Sequence, residues 1–169
     1  MRDEYRTGID EDLAWLCLTP VAPPLVQSQR VVAYEQALDH LRQARLAYPC
    51  FCTRADIAAQ IAASVAAPHG PDGPAYPGTC RTLDPSAAED RIAAGDPHCW
   101  RLDMAGALAR VTQSLAWHDA IRGDISADPA PFGDVVLARR DAPAAYHLAS
   151  TVDDAAQGIT LVVRGADLF

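Results

Sequence analysis

Three observations predict an α/β fold for this chain. Stretches with apolar residues three and four apart alternate with short stretches rich in Val, Leu and Trp. A run of proline, glycine and cysteine between residues 48 and 80 interrupts that alternation. Half of the 169 residues are apolar and 21% are charged, which suits a buried core and argues against disorder or a fibre.

Along the chain, Ile9, Leu13 and Leu16 recur at helical spacing behind Asp10, Glu11 and Asp12, which suit a helix N-terminus, so a short helix is predicted from Gly8 to Leu18. Pro23-Pro24 then force an extended linker, Val21–Gln27. Ser28 is placed to cap a stronger helix with a stripe of Val31, Tyr34, Leu38 and Leu41 that ends before Pro49. Thr53, with Asp56 three residues later, forms a capping-box-like start for an Ala-rich helix from Arg54 to Ala67. The prolines at 68, 71, 74 and 77 and the glycines at 70, 73 and 78 mark a loop, the run being far too short for a collagen-like repeat. Asp84-Pro85 opens another short helix that Gly95 closes. HCWRLDM, ALARVTQSLAW and FGDVVLARR read as strands, AAYHLASTVDDAA as a helix and ITLVVRG as a buried strand.

Composition narrows the chemistry. With 14 basic and 22 acidic side chains the net charge is −8, so nucleic acid is not captured by a broad basic surface, and any such contact is local. Every basic residue is Arg. The absence of Lys excludes a Walker-type phosphate loop, a lysine Schiff base and a lysine general base. No run of about 18 apolar residues occurs, and the charged N-terminal stretch is unlike a signal peptide, so a cytoplasmic protein is expected. In a reducing compartment five cysteines point to buried thiols, metal ligands or a nucleophile before disulfides.

The densest group is Cys50-x-Cys52 followed by Tyr76 and Cys80, in YPCFCTR … YPGTCR. Side chains one residue apart converge only where the backbone turns, as in a zinc knuckle, and three thiolates leave tetrahedral zinc one ligand short. Tyr76, His69 or water can complete it, and buried free thiols are the alternative. Cys17 in WLCL and Cys99 beside Trp100 read as core thiols. Histidines 40, 69, 98, 118 and 147 show no catalytic spacing and read as surface or capping residues. Asp153-Asp154 reads as a solvated helix-end pair before a metal or ribose site. Arg139, Arg140 and Arg164 follow strand-like stretches, where an Arg fork can take a carboxylate or phosphate in an open α/β sheet, or can form a surface ion pair.

These strings together resemble the glutamyl-queuosine tRNA-Asp synthetase family, short class I relatives of glutamyl-tRNA synthetase: FGDVVLARRDAPA, AYHLASTVDDAAQGITLVVRGADLF, QSQRVVAYEQALDHLRQARLAYPCFC and the Cys, Cys, Tyr, Cys spacing, covering essentially the whole chain. Ser150 stands after the HLA triplet, where a discriminating glutamyl-tRNA synthetase is expected to carry Asn. The resemblance implies a class I synthetase, Rossmann-like core, present in part, with a zinc-bearing insertion. Residues 1–47 would belong to the nucleotide-binding core, 48–125 to the acceptor-type insertion and 126–169 to the returning core with its glutamate pocket. It implies that Cys50, Cys52, Tyr76 and Cys80 bind structural zinc and that Tyr146 and Arg164 line the pocket, the helix and following strand returning antiparallel to bring them together. It further implies ATP, with magnesium, as a substrate, L-glutamate and tRNA-Asp as partners, no membrane association, and a monomer.

HIGH-like and KMSKS-like ATP signatures expected of the family are not in this chain, so it resembles the central part of such an enzyme, no catalytic residue is assigned, and the chain alone is expected to be inactive. The alternatives are a fragment of a glutamyl-tRNA synthetase and a catalytically inactive zinc-stabilised binding module.

Overall fold

A computed structural model of the chain describes residues 3–63, 69–70 and 73–165. Its centre is a three-stranded sheet of order β1-β4-β7, formed by Ala47–Cys50, Cys99–Leu102 and Val136–Ala138. β1 pairs antiparallel with β4, Ala47 opposite Leu102, Tyr48 opposite Arg101, Pro49 opposite Trp100 and Cys50 opposite Cys99. β4 pairs antiparallel with β7, with an irregularity between Trp100 and Arg101.

Strand alternation gives this sheet two chemically different faces. Ala47, Trp100 and Leu102 face the apolar core, together with Leu137 and Ala138 of β7. Two helices cover them: α2, Val31–Gln43, through Tyr34 and Leu38, and α6, Tyr146–Gln157, through Leu148 and Ala149. Tyr48, Cys50, Cys99 and Arg101 share the opposite face. The α/β class is as predicted, but every strand pair among the described residues is antiparallel, whereas an open Rossmann-like sheet calls for parallel pairs.

The remaining elements are α1 (Asp3–Trp15), α3 (Arg54–Ala63), the two-residue strands β2 (His69–Gly70) and β3 (Gly73–Pro74), α4 (Pro85–Ala93), the short α5 (Met104–Leu108) and the hairpin of β5 (Ala116–Asp119) with β6 (Gly123–Ser126). Local chemistry explains several boundaries. Thr53 and Asp56 form the reciprocal capping box, Thr53 N–H donating to the Asp56 carboxylate at 2.7 Å and Asp56 N–H to Thr53 Oγ1 at 3.1 Å. Asp84 caps α4 by accepting from the Ser86 and Ala87 amides, with Pro85 in the first turn.

Other expectations need correction. α1 begins at Asp3, so Asp10, Glu11 and Asp12 lie within the helix and do not open it. Its end is closed by Cys17 with φ 58°, and Cys17 is exposed and is not a core thiol. Ser28 lies in a 3-10 turn, Gln27–Gln29, and α2 has Arg30 at its N-cap without a side-chain bond. Of the stretch read as one strand, Ala107 and Leu108 are helical, at the end of α5, where the Asp103 carboxylate accepts from the Gly106 amide at 3.1 Å, and β5 starts only at Ala116. ITLVVRG forms no strand: residues 159–165 have no regular structure, and Val163 is 88% exposed. β-branched residues favour strands only where a neighbouring strand and a buried face receive them, and no described strand pairs with this segment. The predicted end of α3 at Ala67 lies outside the described residues. Among the described residues no helix is long and apolar enough to cross a membrane.

Candidate functional site

The sequence YPC, with Pro49 half-buried, ends β1 with Cys50, which is 0% exposed and is the only fully buried large side chain among the described residues. The chain turns after Phe51, and this turn is held by Arg140, which donates from Nη2 to the carbonyls of Phe51 (3.1 Å) and Cys52 (3.2 Å). The turn lets Cys50 and Cys52 converge. Cys80 arrives on a 3-10 turn, Thr79–Thr82, whose N-cap Gly78 has φ 81°. A Cβ on Gly78 would meet only the movable tip of the Arg81 side chain, so it is the positive φ that calls for glycine at this corner.

The sulfurs of Cys50, Cys52 and Cys80 lie within 4.8 Å of one another. Cys52 Sγ is 3.5 Å from Cys80 Sγ and 3.6 Å from the Tyr76 hydroxyl, which also accepts from the Cys80 amide at 2.9 Å. Two thiolates bound to one tetrahedral zinc at about 2.3 Å stand roughly 3.8 Å apart, so the spacing and the soft donors of this group fit zinc. The Tyr76 hydroxyl is the oxygen beside these sulfurs, and the residue is itself buried. The His69 side chain, weighed in its place, lies outside the described residues.

Gln60 of α3 braces the group, its amide nitrogen 3.9 Å from Cys52 Sγ and its oxygen accepting from Thr79 Oγ1 at 2.5 Å. Behind it stands Cys99, opposite Cys50 on β4 and half-buried. The Cys99 thiol facing Cys50 pulls that thiol well below its ordinary range, outweighing burial, while the same contact, then burial, pushes Cys99 up. Burial, followed by the bonds to Cys50 and Cys80, raises Tyr76. Cys99 is thus a neighbour of the cluster, beyond the plain core thiol that its sequence context predicts.

A second polar hub adjoins this face. Asp134, buried ahead of β7, accepts from the Tyr48 hydroxyl at 2.5 Å, the Met104 amide at 3.0 Å and Arg81 Nη1 at 3.2 Å, and its carbonyl accepts from Arg101 Nη1 at 2.8 Å. Burial and then the bond to Asp134 raise the Tyr48 phenol. Nothing in the sequence around FGDVV singles out Asp134, because its partners come from three distant segments.

The pocket residues are placed differently. Tyr146 opens α6 and is 71% exposed, with its ring beside His147 at 6.2 Å between centroids. Arg164 is exposed in the segment without regular structure, so the antiparallel return expected to bring it to Tyr146 is not formed. Asp153, one of the two acids on α6, is buried inside the molecule, contrary to the solvated reading. It accepts from Arg30 Nε at 2.6 Å and the Tyr34 hydroxyl at 2.7 Å, tying α6 to α2 and its N-cap. Burial opposes its ionisation, but Tyr34, Arg30 and Gln27 outweigh it and hold its carboxyl below the ordinary range. Arg139 pairs with Asp141 through two bonds of 2.9 and 2.6 Å at the surface.

The sequence pattern of tRNA synthetases class I (E and Q), catalytic domain, matches residues 1–169. The chain is similar to a glutamyl-Q tRNA(Asp) synthetase of Nocardia farcinica, 44% identical over 99% of this chain and 50% of that protein. One of Rhodobacter capsulatus is 39% identical over 99% of this chain and 61% of its own length. Glutamate–tRNA ligase 2 of Nitrosococcus oceani is 32% identical over 98% of this chain and 35% of that protein. The chain therefore spans about half the length of the curated relatives it matches. In fold it is similar to the crystal structure of a glutamate tRNA ligase from Elizabethkingia meningosepticum in complex with its amino acid, at a TM-score of 0.68 and 22% identity, over 92% of this chain and 32% of that one. With its whole length matched, the chain belongs to the class I tRNA synthetases of the glutamate and glutamine type, catalytic domain, a family of aminoacyl-tRNA synthetase-like ligases.

Proposed function

We propose that the protein carrying this chain activates glutamate with ATP and transfers it to the queuosine base of tRNA-Asp. The observation that carries this reading is the 39–45% identity to several glutamyl-Q tRNA(Asp) synthetases, against 32% to a glutamate–tRNA ligase. In the first step a glutamate carboxylate oxygen attacks the ATP α-phosphorus and pyrophosphate leaves, magnesium accompanying the nucleotide. In the second, a hydroxyl of the queuosine ring attacks the acyl carbon and AMP leaves. Neither step requires a strong acid or base from the protein, and positioning with charge stabilisation accounts for most of the acceleration. Tyr146 and Arg164 bind the amino acid, the guanidinium fork pairing a carboxylate and the phenol donating a second hydrogen bond.

Cys50, Cys52, Tyr76 and Cys80 hold zinc, which when bound serves as a structural cross-link. They do so within an insertion, residues 48–125, set between core segments 1–47 and 126–169. The protein works as a cytoplasmic monomer.

The test uses the full-length protein with ATP, magnesium and radiolabelled glutamate. Label is expected on queuosine-containing tRNA-Asp and not on the queuosine-free form. Label at the 3′ end of tRNA-Glu would replace this reading with that of a glutamate–tRNA ligase, and no label on any tRNA would leave a zinc-stabilised binding module.

A further inference from the structure

β4 delivers a cation to the thiol cluster. Arg101 follows Cys99 by two residues and stands opposite Tyr48, so it shares the sheet face that carries Cys50. Its guanidinium carbon lies 4.0 Å from the centroid of the Tyr76 ring. Nη1 donates to the Asp134 carbonyl at 2.8 Å, while Nε is buried with no hydrogen-bond partner among the protein atoms. A guanidinium partly withdrawn from water, with Nε fully buried, is costly unless an anion faces it. The Asp134 carboxylate is already taken by Tyr48, Met104 and Arg81, and a carbonyl carries no net charge. The anion available is the cluster itself: three thiolates carry one more negative charge than a divalent ion neutralises.

We propose that Arg101 is a positioning residue of the metal centre, its guanidinium seated over the Tyr76 ring to aim its oxygen at the ion and balancing the surplus negative charge of Cys50, Cys52 and Cys80. This assignment rests on the zinc reading given above. The planar, permanently charged fork of Arg suits both tasks, stacking on an aromatic face while presenting N–H groups at its edge, and Lys supplies only the charge. Partners beyond the ligand shell commonly govern how firmly a metal is held.

The experiment compares the zinc-loaded chain with Arg101→Met and Arg101→Lys, following zinc transfer to a chromogenic chelator, zinc content by elemental analysis and the absorption of the cobalt-substituted forms. Arg101→Met is expected to release zinc at least about tenfold faster, Arg101→Lys to fall between it and the unsubstituted chain, and both to shift the cobalt bands through the misplaced phenol. Should Arg101→Met fail to fold, Arg101→Lys decides, because it keeps the charge and the aliphatic stem and loses the planar fork. Release rates within twofold of the unsubstituted chain with unmoved cobalt bands, whatever the melting temperature, would overturn the proposal alone. An unsubstituted chain that binds no zinc would sink the zinc reading and this assignment together.

Discussion

Arg164 and Arg139 are chemically identical and sit in different surroundings, which makes them a controlled pair. Arg139 is committed to Asp141 by two short bonds, whereas the proposed substrate role falls to Arg164. Arg164→Ala is expected to weaken glutamate binding by the full-length protein by about 2–3 kcal/mol, the range for a lost charge-assisted pair, and Arg139→Ala to leave it unchanged. Isothermal calorimetry reads both, and equal affinities for Arg164→Ala and the parent would remove Arg164 from the pocket. Asp153 makes a different prediction, one of pH. Its folded-state carboxyl ionises below the ordinary value of about 3.9, so its contribution to stability is complete above that value and is lost as pH falls through the lower, folded one. Asp153→Asn is expected to lower the melting temperature on the order of 5 °C at neutral pH, and the gap should narrow at more acid pH. Thermal unfolding across that range measures it, and parallel curves would contradict the assignment. Single residues were legible in the sequence where their partners are near: Thr53 with Asp56, and Asp84-Pro85 as a helix start, can be read off the local sequence alone. Asp134 and Asp153 could not be found that way, since their partners lie tens of residues or more away.

At the scale of elements, the end of α6 is set by Gly158, with φ 62°, beyond which the Ile159 amide bonds back to the Asp154 carbonyl at 3.0 Å. A Cβ there meets nothing within 4 Å, so Gly158→Ala isolates the backbone cost from any clash. A loss of about 1 kcal/mol is expected in denaturant unfolding, and a neutral result would show that the turn relaxes. Elements with an apolar stripe and a clear stop, α2 and α6, were legible because one helix face repeats locally. The segment 159–163 was not, because its Val and Ile content states a preference that only a neighbouring strand can satisfy. The same applies to Cys99: its neighbour Trp100 explains a buried thiol, but only the pairing of β1 with β4 sets it against Cys50.

For the whole molecule, the apolar core and the thiol cluster lie on opposite faces of one small sheet, so loss of one should reach the other through the strands. Chelation of zinc, or Cys50→Ser, is expected to speed amide exchange first between residues 48 and 81 and then in β4, with α2 and α6 protected longest. Elemental analysis should find about one zinc per chain in the parent and well below that in Cys50→Ser. Hydrogen exchange followed by mass spectrometry resolves the order, and uniform loosening would argue that the two layers unfold as one.

β1 has only four residues, and it serves two layers at once. Ala47 fills the core while Cys50, three steps on, points the other way. Length is therefore constrained more tightly than identity in this strand. Substituting Pro49 or Tyr48 alters one layer, but deleting either would turn every following side chain to the wrong side, carrying Cys50 toward the helices and away from Cys52 and Cys80. The three codons from Ala47 to Pro49 should accordingly accept point changes in a mutational scan far more readily than in-frame single-codon losses.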